Sequence, residues 1–291
     1  MNKPGLSHIL TFRNTAIALV VTWTLLFIVV PTLMIAVVSV LQRDARTFVT
    51  PAFSLESYMA LADPVYLKIF GKSFAYAAMT TLLCLLVGFP FAFFLARTRK
   101  RWQKPLLLLV IIPFWTSSLI RTYALIIILK ANGIINTWLR AAGIIKLPLE
   151  ILYTDIAVYI GLVYTLLPFM ILPLYASLEK LDFRLVEAAF DLGARPVQVF
   201  TRIILPLSLP GIMAGAIMVF LPAMGLFYVP DLLGGAKSML LGNLIKNQFL
   251  VAGNWPFGSA VSVFLTMLML GLMAIYFKTM KRINTSVMEE A

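Results

Sequence analysis

Long apolar stretches alternate with short polar segments along almost the whole chain. Six of these stretches are long enough to cross a bilayer, because a helix needs about 20 apolar residues to span the hydrocarbon core. The strands of a membrane barrel would alternate apolar and polar residues with a period of two, and these stretches do not. The pattern therefore predicts an all-α, polytopic membrane protein with six transmembrane helices. The predicted spans cover residues 16–41, 73–96, 105–129, 156–178, 207–228 and 258–277.

The composition supports a membrane protein without a separate soluble domain. Hydrophobic residues make up 61% of the 291 positions and charged residues only 12%. A soluble domain has about a quarter of its residues charged, so this chain would expose far too much apolar surface in water. The spans leave no stretch as long as a second domain needs. We expect a transmembrane domain over residues 16–278, a cytoplasmic N-terminal segment, 1–15, and a cytoplasmic C-terminal tail, 279–291.

The first apolar stretch follows a basic N-terminus, as a secretory signal would. Its charge-free part, residues 14–42, is longer than a signal core of about 7–15 residues, and no small-residue cleavage pattern interrupts it. We therefore interpret it as a first span that the protein retains.

The distribution of lysine and arginine predicts the orientation in the membrane, because short cytoplasmic loops are enriched in both. The short segment 97–104 contains Arg97, Arg99, Lys100, Arg101 and Lys104. Placing this segment inside the cell puts both termini and the polar segment 179–206 in the cytoplasm. The net charge of +12 then reflects topology and attraction to anionic lipid rather than binding of nucleic acid.

The polar segment 179–206 has the pattern of two short helices joined by a turn. Asp182 is a suitable N-cap, Gly193 suits a left-handed C-terminal position, and Pro196 suits the first turn of the next helix. The first helix carries an apolar stripe at helical spacing, formed by Leu185, Ala188, Ala189 and Leu192. From the pattern alone, this stripe either covers the base of the helix bundle or docks onto another protein.

The same segment contains the spacing E-A-A-x3-G-x9-I-x-L-P. The residues are Glu187, Ala188, Ala189, Gly193, Ile203, Leu205 and Pro206. This spacing resembles the cytoplasmic EAA signature of permease subunits of ABC importers. The resemblance implies the type I importer permease (MetI-like) fold, with this loop fitting a cleft on an ATPase subunit. It also implies that Glu187 and Gly193 make the coupling contact, with Ala188, Ala189 and Arg195 close to it.

Other segments are similar to the B-type permease subunits of spermidine/putrescine importers, and this likeness covers about residues 20 to 282. The segments include IIPFWTSSLIRTYALIIIL, LPAMGLFYVPDLLGGAK and GNLIKNQFLVAGNWPFGSA. The resemblance implies a polyamine permease of the bacterial inner membrane. A permease for putrescine alone or for another small solute is the alternative within importers.

The family also implies the partners. They are a homologous second permease subunit, two copies of an ATPase subunit that bind ATP and Mg²⁺, and a periplasmic polyamine-binding protein. This chain has no phosphate-cradling Gly-rich motif with Lys and Ser/Thr. We therefore expect a non-enzymatic transport subunit that binds no cofactor of its own.

Polyamines are multivalent cations, so acidic groups and aromatic faces are the expected ligands. The cores of the predicted spans contain no acidic residue. Phe227 and Tyr228 at the outer end of the fifth span are the favoured candidates, because Asp231 follows closely. Further candidates in the third and fourth spans are Trp115, Tyr123 and Tyr164, and Phe114 is a weaker one. For each aromatic residue, packing or anchoring at the membrane interface is the alternative role.

Arg121 is the one charge inside a predicted span. A cation would repel a polyamine, so we expect Arg121 to extend towards the interface or to hydrogen-bond a neighbouring helix. A secondary transporter or channel is a second class to consider, but it usually needs ionisable residues within the spans for ion coupling. A membrane enzyme is disfavoured, because one histidine and the single cysteine, Cys84, offer no catalytic cluster.

Overall fold

The computed structural model describes residues 6–44, 46–235 and 238–289, and most of them are helical. The helices are α1 (Leu6–Thr24), α2 (Val30–Val38), α3 (Glu56–Ala60), α4 (Pro64–Arg97), α5 (Lys100–Ile111), α6 (Ser118–Leu129), α7 (Ile134–Ala141), α8 (Asp155–Leu178), α9 (Arg184–Asp191), α10 (Pro196–Val199), α11 (Leu205–Gly225), α12 (Leu241–Leu250) and α13 (Trp255–Glu289). Short π-helical turns lie at Leu25–Val29, Phe200–Ile204 and Pro230–Gly234. The prediction of an all-α membrane fold is confirmed.

Six helical stretches in the described part of the chain are long and apolar enough to cross a membrane. They are Arg13–Val38, Pro64–Arg97, Ser118–Ala141, Asp155–Leu178, Pro196–Gly225 and Trp255–Thr279. The first and last helices extend through most of the predicted terminal segments 1–15 and 279–291, of which residues 1–5 and 290–291 lie outside the described residues. No residue of the first stretch is buried, whereas half of the most apolar part of α8 is buried.

The third predicted span, residues 105–129, is not one continuous helix. The structure ends α5 at Ile111, continues with a 3₁₀ turn over Ile112–Trp115 and starts α6 at Ser118. Pro113 lacks an N–H and disfavours regular helix around it. The hydroxyl of Thr116 donates to the Pro113 carbonyl at 2.8 Å, which uses one of the acceptors that the break exposes.

The chain divides into two compact units. One contains residues 1–63 and 245–268, and the other contains residues 64–244 and 269–291. In the first unit, an antiparallel hairpin of β1 (Leu41–Asp44) and β2 (Phe48–Phe53) follows α2. The Arg43 guanidinium donates to the Ala252 carbonyl at 2.9 Å, and the ring of Phe48 stacks on Trp255 with centroids 5.2 Å apart. These contacts fix the hairpin to the start of α13.

The core of the second unit is formed by α4, α8 and α11. The inward face of α8 is lined by side chains with almost no exposed surface, namely Leu162, Leu166, Met170 and Leu174. Helices in membranes approach closely where one of them has a small residue. A Cβ atom on Gly211 of α11 would lie 2.5 Å from the Ser177 Cβ and 2.8 Å from the Pro173 carbonyl oxygen. Glycine at this position therefore lets α11 rest against the backbone of α8.

Candidate functional site

The predicted coupling loop folds as the two helices and the turn that the sequence indicated. The carboxylate of Asp182 accepts a hydrogen bond from the Arg184 N–H at 3.0 Å, one residue before the cap position. Gly193 has φ +80°, and its N–H donates to the Phe190 carbonyl at 2.9 Å. The Ala194 N–H donates to the Ala189 carbonyl at 3.0 Å, so the last turn of α9 ends in a glycine cap.

The second helix of the loop is also started by local hydrogen bonds. The Arg195 N–H donates to the Gln198 side-chain oxygen at 2.9 Å, and the Gln198 N–H donates back to the Arg195 carbonyl at 2.8 Å. Pro196 occupies the first turn of α10, where no helical N–H is needed. The helix then passes through the π-helical turn into α11, so the predicted fifth span begins inside a longer helix.

Most of the apolar stripe of α9 is exposed. Leu185 and Ala188 are exposed, Leu192 is 88% exposed, and Ala189 is half-buried. The residue that packs inward is Val186, which is only 6% exposed. Glu187 is exposed beside the stripe. Of the two interpretations that the sequence left open, the geometry fits a surface available to another protein, because such apolar exposure on a polar loop is characteristic of interaction sites.

At the other predicted site, the chain leaves α11 at Gly225. We call residues 226–235 and the start of α12 the outer mouth, after the side of the membrane that the lysine and arginine distribution predicts for them. Phe227, Tyr228 and Asp231 lie together there. The rings of Phe227 and Tyr228 meet edge to face with centroids 6.1 Å apart. The Asp231 N–H donates to the Phe227 carbonyl at 3.1 Å. An apolar crevice of about 460 Å³ borders both rings.

Asn243 was not predicted as a site residue, yet it joins the parts of the outer mouth. Its side-chain amide donates to the Phe227 carbonyl at 3.0 Å and to the Asp231 carboxylate, and its oxygen accepts from the Leu240 N–H at 3.3 Å. Asn243 is 3% exposed. The only sequence signal was a polar residue inside an otherwise apolar segment, which does not reveal its partners.

The outer mouth is held on α8 and α4. A Cβ on Gly161 of α8 would collide with the Leu233 side chain and lie 2.7 Å from Val229. The Tyr153 N–H donates to the Leu233 carbonyl at 2.8 Å, and the Leu241 N–H donates to the Ser73 hydroxyl at 2.8 Å. The contacts of Gly161 and Tyr153 fix the π-helical turn Pro230–Gly234, and the contact of Ser73 fixes the start of α12.

The other predicted aromatic residues do not form one cluster with the outer mouth. Trp115, which is 79% exposed, lies in the 3₁₀ turn, and Tyr123 is exposed on α6. The ring of Tyr164 lies 5.8 Å from the guanidinium carbon of Arg121, and the ring of Phe114 lies 5.4 Å from it. The aromatic face of Tyr164 is therefore in contact with the guanidinium of Arg121.

This arrangement also corrects the expectation of a hydrogen bond between helices at Arg121. The guanidinium contacts aromatic faces instead, and its buried Nε has no hydrogen-bond partner among the described residues. Aromatic quadrupoles attract a cation in a desolvated site, so α6 is linked to α8 by a cation–π contact.

Two solved structures share the fold of this chain. A permease-containing crystal structure of a bacterial alginate ABC transporter, in complex with an alginate pentasaccharide-bound periplasmic protein, matches 94% of this chain and 94% of its own chain with a TM-score of 0.75. A second crystal structure, of a bacterial ABC transporter that imports alginate, covers 93% of this chain and 95% of its own, with a TM-score of 0.74. At 15% and 16% identity, these likenesses establish the fold of ABC transporter permeases alone.

Residues 88–287 match the family described as binding-protein-dependent transport system inner membrane component. The chain belongs to this family. It is therefore a multi-pass inner-membrane transport component that works with other parts of an ABC importer and with a binding protein.

Relatives of known description extend the likeness over nearly the whole chain. The chain is 49% identical over 276 residues to the spermidine/putrescine transport system permease protein PotB of Haemophilus influenzae, covering 95% of this chain and 96% of that protein. It is 50% identical over 271 residues to the protein of the same description from Escherichia coli, covering 93% and 98%. The inner membrane ABC transporter permease protein YdcU of Escherichia coli is 32% identical over 253 residues, covering 83% and 79%.

Proposed function

We propose that this chain is a permease subunit of an ATP-driven spermidine/putrescine importer. The observation that carries the substrate class is the outer mouth, where Asp231 lies beside Phe227 and Tyr228. A carboxylate attracts an ammonium group, and aromatic faces stabilise it once it loses water. The adjacent apolar crevice suits the methylene chain between two ammonium groups. The likeness to spermidine/putrescine permeases over most of the chain supports the same substrate.

The exposed stripe of α9 carries the coupling part of the proposal. Leu185, Ala188 and Leu192 would enter a cleft on the ATPase subunit, with Glu187 and Arg195 at the polar edge of the contact. The glycine cap at Gly193 sets the angle between α9 and α10, and thereby the shape that the ATPase subunit meets. Both termini and this loop then lie in the cytoplasm.

The remaining partners follow from the same proposal. A second permease subunit would complete the pathway and supply acidic groups that the spans of this chain lack. Two ATPase subunits would bind ATP and Mg²⁺, while this chain binds no cofactor and hydrolyses nothing. The exposed rings of Trp115 and Tyr123 are candidates for contact with the substrate or with the second permease. Tyr164 would act together with Arg121 rather than as a free aromatic face.

Uptake by the reconstituted complex tests the proposal. Proteoliposomes would contain this chain, the second permease and the ATPase subunits, with labelled spermidine or putrescine and the binding protein outside. We expect uptake only with ATP trapped inside. Glu187→Lys should lower uptake more than tenfold, and Glu150→Lys, the same charge reversal at an exposed outer position, should leave it unchanged.

The outcomes separate the parts of the proposal. Uptake without ATPase subunits would reject the importer. ATP-dependent uptake of another solute, with neither polyamine carried, would reject the substrate class and retain the importer. Uptake of putrescine alone would favour the narrower permease.

A further inference from the structure

Four phenylalanines join the coupling loop to one end of α4. Phe183 directly precedes α9, and Phe200 directly follows α10, so the two residues flank the loop helices. The Phe183 ring meets Phe93 edge to face with centroids 6.1 Å apart, and the Phe200 ring meets Phe89 in the same way at 5.6 Å. Phe89 and Phe93 lie one helical turn apart on α4. We call these four residues the aromatic ladder.

Arg97 closes the ladder at its end. Its guanidinium carbon lies 5.7 Å from the ring centre of Phe93 and 5.7 Å from that of Phe183. One cation therefore contacts one ring from α4 and one from the loop, which adds an attraction that depends on the geometry of both rings. The contact between loop and helix is thus directional rather than a general apolar packing.

The end of α4 that receives these contacts is itself fixed. The Gln103 amide of α5 donates to the carbonyls of Ala96 at 3.1 Å and Thr98 at 3.0 Å. The Tyr175 hydroxyl of α8 donates to the Gln103 side-chain oxygen at 3.3 Å. The end of α4 is therefore tied to α5 directly and to α8 through Gln103, so a displacement of the loop acts on a helix end that is held in place.

The other half of α4 reaches the outer mouth. The helix runs for 34 residues, which is about 50 Å at 1.5 Å per residue. Near its start, the Ser73 hydroxyl accepts a hydrogen bond from the Leu241 N–H, two residues before Asn243. Pro90 lies between the two ladder residues of α4 and removes the helical hydrogen bond to the Leu86 carbonyl, whereas positions 73–89 contain no proline.

We infer that α4 transmits movement of the coupling loop to the outer mouth. The loop acts on α4 through the aromatic ladder, and α4 acts on the outer mouth through the Ser73–Leu241 hydrogen bond. This inference rests on the proposed coupling function of α9. Both flanks of the loop press on the same helix, so a shift of the exposed face of α9 acts on α4. Packed side chains, hydrogen bonds and rigid helices are the elements that carry coupling between distant sites, and α4 with its two contacts combines all three.

The test measures how ATP hydrolysis responds to the binding protein in the complete complex, reconstituted in nanodiscs. In the unaltered complex, polyamine-loaded binding protein should raise the ATPase rate. The variants are Phe183→Leu with Phe200→Leu, and separately Ser73→Ala. We expect both to keep the ATPase subunits bound and the basal rate unchanged, while stimulation and uptake fall at least about fivefold. The matched control is Phe94→Leu, an exposed α4 residue beside the ladder, which should behave like the unaltered complex.

The results distinguish transmission from docking. Full stimulation in the assembled Phe183→Leu, Phe200→Leu complex, or in the Ser73→Ala complex, would overturn the inference. If the ladder variants fail to assemble, Ser73→Ala decides alone, because it alters only the end of α4 far from the loop. If Glu187→Lys also has no effect on uptake, the proposed coupling function fails; if Glu187→Lys abolishes uptake while these variants do not, only the transmission through α4 fails.

Discussion

The side-chain amide of Asn243 lies 3.0 Å from the carbonyl oxygen of Phe227. The same amide donates to the Asp231 carboxylate, so one buried side chain fixes both the backbone below an aromatic ring and the direction of an acidic group. A carboxylate in a narrow pathway attracts a cation best when its position is set before the cation arrives. If Asp231 attracts the substrate as we propose, Asn243 acts through Asp231 rather than on the substrate itself.

Replacing Asn243 with alanine should weaken substrate capture. A hydrogen bond to a charged group contributes about 1.5–3 kcal/mol, so the KM for polyamine uptake should rise roughly tenfold or more while assembly stays intact. Uptake kinetics in proteoliposomes would measure this KM. Asn247→Ala, on the same helix, is the control. An unchanged KM for Asn243→Ala would show that Asp231 needs no such support.

Removing the ring of Tyr164 should destabilise the protein through Arg121. A cation–π contact contributes about 0.5–2 kcal/mol, so Tyr164→Leu should lower the free energy of unfolding by about that amount, and Tyr164→Phe should not. In an Arg121→Met background, the Tyr164→Leu effect should shrink, as a double-mutant cycle in detergent would detect. Tyr123→Leu, two residues after Arg121 on α6, controls for the loss of an exposed aromatic ring. Additive effects of Arg121 and Tyr164 would contradict the contact.

The close approach of α8 to the outer mouth can be tested with single and double variants of Gly161 and Leu233. A methyl group on Gly161 would collide with Leu233, so Gly161→Ala should cost about 1–3 kcal/mol through overpacking and lower the melting temperature of the purified complex. Leu233→Ala alone should cost about 2–5 kcal/mol, because Leu233 is fully buried, and the double variant should lose less than the sum of the two single losses. Gly271→Ala, where a Cβ meets nothing within 4 Å, should be neutral. The prediction fails if Gly161→Ala leaves the melting temperature as unchanged as Gly271→Ala does.

Two glycines have the same local geometry, so a comparison of their alanine variants distinguishes an effect of backbone strain from an effect on coupling. Gly193 follows α9 with φ +80°, and Gly143 follows α7 with φ +70°; a Cβ on either would meet nothing within 4 Å. Alanine in this conformation costs about 1–2 kcal/mol at both positions. We expect Gly193→Ala to reduce uptake and co-purification of the ATPase subunits, and Gly143→Ala to leave both unchanged. Equal loss of uptake in the two variants would attribute the effect to strain alone.

The sequence predicted those parts of the molecule that depend on local pattern. Apolar length identified the six helical stretches, and the types of residue at Gly193 and Pro196 identified the turn of the coupling loop, because each requirement is set within a few residues. The short spacing between Tyr228 and Asp231 predicted that Phe227, Tyr228 and Asp231 lie together. Their roles in transport stay predictions.

The parts that the sequence did not predict depend on tertiary contacts. Periodicity places Leu185 and Leu192 on one face but does not say which face the rest of the chain covers. The break after Ile111 was hidden because the apolar stretch continues through it, and a proline inside a membrane helix does not always end the helix. Asn243 reaches back to Phe227 and Asp231, and Arg121 reaches Tyr164 on α8, so no helical or strand spacing along the chain indicates these contacts.

The uncovered first stretch, Arg13–Val38, has a consequence for how the sequence can vary. Where only lipid or a neighbouring subunit touches a helix, exchange among leucine, isoleucine and valine changes its surroundings little. The buried side of α8 has no such freedom, since each of its side chains fits a fixed space among others. Substitutions accumulated over evolution should therefore be frequent and conservative in character in the first helix, and rare on α8.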